Sequence, residues 1–156
     1  MTLEDKLRKL NDRETQKTET DWELYKKGWL ASIKKLENML MYKWFEDYDK
    51  KGLMVFGIVP VKRVDPYIGE YLTTNLEITL PNNQSFVLEP VSAITSEYDG
   101  KVEFYMRGNV YKNITIARKL AGKHDEWIIA KSYDPKTHYK LEKKEQIEKI
   151  ISEWLS

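Results

Sequence analysis

Residues Asn75 to Leu88 read NLEITLPNNQSFVL. Leu76, Ile78 and Leu80 alternate with Glu77 and Thr79, and after a turn rich in proline and asparagine Phe86 and Leu88 resume the alternation. A period of two puts successive side chains on opposite faces of a strand, so a slip of one residue would turn the whole apolar set to water. Opposing Leu76, Ile78 and Leu80 with Leu88, Phe86 and Gln84 leaves Pro81, Asn82 and Asn83 as a three-residue loop, with asparagine available for a left-handed position. The stretch predicts an antiparallel hairpin with one buried face.

The same period extends from Leu53 to Ser132, as LMVFGIVPV, NLEITL, SFVLEPVSAIT, VEFYMR, YKNITIARKL and EWIIAKS. Turn residues separate these runs, which predicts a meander of six strands. Pattern matching pairs Val102 and Phe104 with Tyr98 and Ser96 across a loop of Asp99, Gly100 and Lys101. Around Gly108 and Asn109 it pairs Phe104 with Ile114 and Val102 with Ile116. Glu77, Thr79, Glu103, Tyr105, Arg107, Asn113 and Thr115 then share a solvated face of mixed sign. LMVFGIVPV and the WII of Trp127 to Ile129 are apolar on both sides, as expected of strands covered twice.

Ahead of the strands, Trp22, Tyr25, Trp29, Ile33, Leu36, Leu40 and Trp44 recur at helical steps, while Lys27, Lys34, Lys35 and Glu37 fall off that stripe. Thr20 and Glu23 form a capping box that would open the helix, and Gly52 suits its left-handed end. Residues 1–19 are polar except for Leu3, Leu7 and Leu10, and read as a frayed helix or mobile arm. Near the C-terminus, Ile147, Ile150, Ile151 and Trp154 mark a helix from about Glu142 to Leu155, expected near the sheet's ends. The fold class is therefore α+β: a polar arm over 1–19, then one domain over 20–156 with a long amphipathic helix, a twisted antiparallel meander and a C-terminal helix.

Composition removes several function classes. The 156 residues contain no cysteine, which excludes disulfides, thiol catalysis and thiolate metal sites. Lys+Arg 26 against Asp+Glu 25 leaves a formal charge of +1, so no global field draws a polyanion. There is no apolar run of membrane-spanning length and no signal-peptide core at the start, so no membrane role is expected and a cytoplasmic location is the default reading. The 7 glycines are never clustered, and neither a phosphate loop nor a dinucleotide fingerprint can be built from them.

Motif-like stretches reduce to ordinary structure. Asp47, Asp49 and Gly52 begin like a calcium loop, but Lys51 and Ile58 occupy positions that need oxygen ligands. His124 and His138 lie at opposite ends of a strand-length segment and lack metal-ligand spacing; GKHD, Gly122 to Asp125, reads as a turn into the sixth strand. No catalytic residue, cofactor or metal is assigned. The aromatic content, with Trp 5, Tyr 10 and Phe 4, is the pattern left to explain. Tryptophans on the helix stripe belong to a core, whereas Tyr67, Tyr71, Tyr105, Tyr111, Tyr133 and Tyr139, with Arg107, are expected on loops or the solvated face as contact residues.

The leading expectation is a non-catalytic protein-binding module. Its general plan is similar to that of many bacterial immunity or inhibitor proteins, which implies a toxin or other effector as partner. The alternative from another class is a small-ligand binder or enzyme with a pocket between helix and sheet, lined by Trp29, Phe56, Tyr71 and Phe104. A further alternative is single-stranded nucleic-acid binding, in which Arg107, Tyr111, Lys112 and Arg118 would supply stacking and charge. Self-association is left open.

Overall fold

The computed structural model describes residues 2–16, 19–121, 124–130 and 137–155; the side chains of residues 12–16, 19, 20 and 124 lie outside that description. The Asn75–Leu88 hairpin forms in the expected register. Leu76 faces Leu88 and Ile78 faces Phe86, the Leu80 amide donates to the Gln84 carbonyl at 2.9 Å, and Asn83 takes the left-handed conformation with φ 66°. Five further strands follow from the same alternation or extend it. The strands are β1 (Val55–Asp65), β2 (Gly69–Thr79), β3 (Ser85–Ser92), β4 (Lys101–Met106), β5 (Asn113–Ala121), β6 (His124–Ala130) and β7 (Tyr139–Lys140). They form one antiparallel sheet in sequence order. The seventh strand was not expected, because two residues are too few to show a period; it pairs with Ile128 and Ile129.

The β4–β5 register, Phe104 with Ile114 and Val102 with Ile116, is as the alternation predicts. That of β3–β4 is not. Phe104 faces Leu88 rather than Ser96, and Val102 faces Pro90, with an irregularity between Pro90 and Ser92. Residues 93–100 become a loop, held by the buried Asp65 carboxylate, which accepts from the Ala93 amide at 3.2 Å while also taking the Tyr67 and Ile68 amides. Pro90 explains a second departure. The Leu80–Gln84 bond shows that even-numbered residues of β2 and β3 point their amides at each other, because these groups alternate along a strand. Pro90 has no N–H to offer Thr74, and pairing of β2 with β3 stops at Leu76. Beyond that point the β1–β2 hairpin rolls, so that Tyr71 and Thr73 are buried where Leu76 and Ile78 were the inward set.

On the helical side, α1 (Leu3–Gln16) is a helix of 14 residues within the stretch read as a frayed helix or mobile arm. Thr2 and Asp5 cap it reciprocally at 3.2 and 3.3 Å, and these bonds hold the Asp5 carboxyl below its ordinary pKa. The next helix, α2 (Glu19–Asn38), is already under way one residue before the expected cap at Thr20. It passes into a π-helical turn, Met39–Trp44, and then α3 (Glu46–Lys50). The wider turn, closed by the Phe45 amide on the Leu40 carbonyl, allows Leu40, Met41, Trp44 and Phe45 all to be buried. Gly52, with φ 70°, ends the run as expected.

Tyr25, Trp29, Ile33, Leu36 and Leu40 face the sheet's Leu76–Ile116 side as one core. The last helix, α4 (Lys144–Leu155), shares that side: Trp154 stacks on Phe86 and Phe104, with centroids 5.9 and 5.5 Å apart. It lies beside α3, with the Tyr48 hydroxyl on Glu148, so both major helices cover one face.

Glu37, off the apolar stripe, is nevertheless buried, because the rolled part of β2 closes over it. The Thr74 hydroxyl donates to its two oxygens at 2.8 and 2.9 Å. Burial dominates over that bond and over nearby Lys34, and pushes the carboxyl pKa up to about 7 from 4.5. The folded state therefore holds a proton that the unfolded chain releases. This contribution to stability is complete below about pH 4.5 and is lost as pH rises towards 7. Glu37→Gln is expected to raise the unfolding free energy measured by urea at pH 8, by roughly 1–3 kcal/mol, and to change it little at pH 4. Equal effects at the two pH values would contradict this account of Glu37.

Candidate functional site

The expectation that β1 is covered on both sides is wrong. Among the described residues it is the free edge of the sheet, and Val55 is 62 % exposed, Ile58 45 % and Val59 37 %. Leu53, before the strand, and Val64 and Leu72, in the hairpin's outer half, are exposed as well. Six large apolar side chains are thus exposed on or beside the β1–β2 hairpin, three of them, Val55, Ile58 and Val59, within five residues of the edge strand. Nor is β6 covered twice: Trp127 and Ile129 are buried, Ile128 on the other side is half-buried, and β7 lies alongside.

The backbone of β1 can be oriented from the register. Even-numbered residues of β2 bond to β3, so odd-numbered ones bond to β1. Thr79, Glu77 and Asn75 oppose Val55, Gly57 and Val59. The alternation then turns the amides and carbonyls of Phe56, Ile58, Lys62 and Val64, and the carbonyl of Pro60, out to the free edge. Pro60 sits where a missing N–H costs the sheet no bond, as prolines in strands do. That proline was the signal in the sequence that LMVFGIVPV is an edge strand. Lys62 and Glu70, paired at 2.9 Å, mark the polar limit of the apolar stretch.

The aromatic residues expected on a contact surface are dispersed. Tyr71 is in the core, 4 % exposed, with its hydroxyl accepting from the Trp29 indole at 3.3 Å; burial raises its pKa. Its position follows from the roll of the hairpin beyond Asn75. Tyr67 stacks on Trp22, with centroids 5.5 Å apart. Tyr139 is half-buried on β7, at the other edge of the sheet, and burial raises its pKa too. Tyr133 lies outside the described residues, as does the turn at Gly122 and Lys123.

Tyr105 and Arg107 do share the face opposite the helices. The Tyr105 hydroxyl donates to Glu89 at 2.7 Å, and burial followed by that carboxylate pushes its pKa up to about 12. Glu89 also accepts from Arg63, and Arg107 pairs with Glu77 rather than facing Tyr111 across the turn. Tyr111 itself is 94 % exposed. It stands at the lip of a groove of about 670 Å³ over β4 and β5, with Tyr98, Lys101, Glu103, Thr115 and His138 among its walls. The Tyr98 hydroxyl is 3.1 Å from His138 Nδ1. Lys6 and Glu97 meet there at 3.3 Å and Lys101 and Glu103 at 3.9 Å, so the groove's charges are matched internally.

A pocket between helix and sheet was the other expectation. Trp29 and Phe104 are wholly buried, the first against Trp127 and the second between Phe86 and Trp154, so they fill the core rather than line a cavity. The basic residues suggested for nucleic acid are committed elsewhere. Arg118 is buried, Arg107 is paired, and the Lys112 ammonium donates to the Trp154 carbonyl. Among the described residues no group of three or more histidine, aspartate or glutamate side chains could hold a metal ion, and no helix is long and apolar enough to cross a membrane. Compared with family models, with curated proteins and with solved structures, the chain matches none.

Proposed function

We propose that the protein is a non-catalytic protein-binding module, and that the free edge of β1 is its docking element. The observation that carries this reading is the coincidence, on one strand, of unpaired ladder groups with exposed Val55, Ile58 and Val59. Edge strands of folded proteins are ordinarily shortened, charged or covered, because they template pairing with another chain. β1 runs for 11 residues, and its first charged position is Lys62. A partner that adds a strand there takes its affinity from main-chain bonds and its selectivity from the flanking valines and isoleucine. In its specific form the proposal is an immunity- or inhibitor-type protein that holds an effector by this edge.

Ile58→Lys tests the reading with little disturbance of the core, since Ile58 is an exposed side chain on the outermost strand. In parallel captures from native lysate, proteins retained by the wild-type chain are expected to be lost with Ile58→Lys and kept with Tyr111→Ala. Identical sets of retained proteins for wild type and Ile58→Lys would sink it.

A further inference from the structure

We infer that the groove over β4 and β5 is a binding site for a neutral, polyhydroxylated ligand, a short oligosaccharide. It lies on the face of the sheet, apart from the free edge of β1, and stands independently of the docking role proposed for that edge. Its volume of about 670 Å³ falls within the range of small-ligand sites, roughly 300–1,000 Å³.

Residue size makes the trough. Thr115 pairs with Glu103 on one side and with Ala130 on the other, so two small side chains on neighbouring strands form a low floor. Longer side chains stand around it: Lys101 and Glu103 from β4, Tyr98 and His138 from flanking segments, and Tyr111 from the turn before β5.

Charge and hydrogen bonding select the class of ligand. The groove holds two ammonium groups and two carboxylates, Lys6 with Glu97 at 3.3 Å and Lys101 with Glu103 at 3.9 Å. A ligand of either net charge meets one member of each pair as a like charge, whereas a neutral ligand displaces neither. Each lysine approaches a single oxygen, Oε1, of its carboxylate, which leaves the other oxygen to accept. The side chains of Asn113 and Thr115 form no hydrogen bond among the described residues, and each can donate and accept.

A neutral ligand that serves such walls must itself both donate and accept, as a hydroxyl does. A proline-rich peptide, the other neutral ligand suited to an aromatic groove, lacks N–H groups and would leave the carboxylates without donors. Strand addition is excluded, because the main-chain groups of β4 and β5 are spent on the ladders with β3, with each other and with β6. The Tyr111 ring, almost wholly exposed at the lip, adds a flat apolar surface for the C–H side of a sugar ring. Its place is set by the turn, in which the Tyr111 amide donates to Asn109 Oδ1 at 3.0 Å.

Titration of the isotope-labelled full chain with maltotriose, cellotriose, mannotriose and triacetylchitotriose, up to millimolar concentrations, tests this by nuclear magnetic resonance. At least one is expected to shift the amides of Tyr111, Asn113 and Thr115. Its affinity is expected to be the same at about 0.05 and about 0.5 M salt, since salt screens charges and the ligand has none. Tyr111→Ala is expected to weaken binding about tenfold and Tyr111→Phe to change it little. Thr115→Val, which removes the hydroxyl and keeps the shape, is expected to weaken it about fivefold. Ile58→Lys, on the β1 edge, is expected to leave it unchanged.

No binding by any of the four, binding weakened tenfold by salt, or a Tyr111→Ala variant that binds as the wild type does would each overturn the proposal. Decaproline that shifts the same amides at lower concentration than every saccharide overturns it in favour of a peptide.

Discussion

Gly100→Ala is expected to lower the stability of the fold by about 3 kcal/mol or more, through overlap in a core and a forced backbone conformation. Gly100 has φ 147°, a region that residues with a Cβ rarely occupy, and its Cα is covered by the Trp29 ring, onto which an added Cβ would be driven. The ring cannot yield. Trp29 is fully buried, its indole N–H is given to Tyr71, Trp127 packs 6.3 Å from it and the Arg118 guanidinium lies 5.0 Å from its centroid. Gly52→Ala is the matching control. Its φ is also positive, at 70°, but nothing lies within 4 Å of the added carbon, so it carries the backbone cost alone, about 1 kcal/mol. Urea unfolding of both variants decides the matter; equal losses would mean that the Trp29 contact contributes nothing.

Removing Arg118 should be of similar size. Its guanidinium is 1 % exposed; it donates from Nε to the Asp99 carbonyl at 2.8 Å and from Nη1 to Ser32 Oγ at 2.9 Å, and Ser32 in turn donates to Asp125. The Tyr25 and Trp29 rings complete its enclosure. Arg118→Ala leaves the Ser32 hydroxyl and the Asp99 carbonyl short of a donor and opens a void under two aromatic rings, together about 3–5 kcal/mol. Arg118→Lys is expected to recover less than half of that loss, because an ammonium has one nitrogen with which to reach acceptors that the planar fork meets separately. Full recovery by lysine would show that charge alone, rather than fork geometry, is what Arg118 provides.

The parts of this fold that were legible in the sequence are those decided by side chains close together along the chain. Leu76, Ile78, Phe86 and Leu88 declare their register because alternation and a short turn leave a single match, and the structure has it. The β3–β4 register depends instead on Asp65, 28 residues from the Ala93 amide that it holds, and the early end of β2–β3 pairing depends on the donor that Pro90 lacks. Neither effect has a local pattern. Tyr71 was read as a surface residue for the same reason: the inward face of β2 changes only where its pairing with β3 stops. Of the contact residues, Tyr105, Arg107 and Tyr111 do lie on the face opposite the helices, but the first two are bound to carboxylates that belong to neighbouring strands. The free edge of β1 was legible in Pro60 alone, and the weight of the surrounding valines and isoleucines concealed it.

The order of the sheet also bears on how the chain reaches its native state. Every strand pairs with its neighbour in sequence, so the ladder can grow one hairpin at a time, each closing only a short loop. The helices have no such local partners. The Tyr25 hydroxyl meets the Ala93 and Asp99 carbonyls across separations of 68 and 74 residues. The entropy of long-range closure therefore falls almost wholly on the docking of α2 and α4, which places the decisive search in folding at the seam between helix and sheet rather than within the sheet itself.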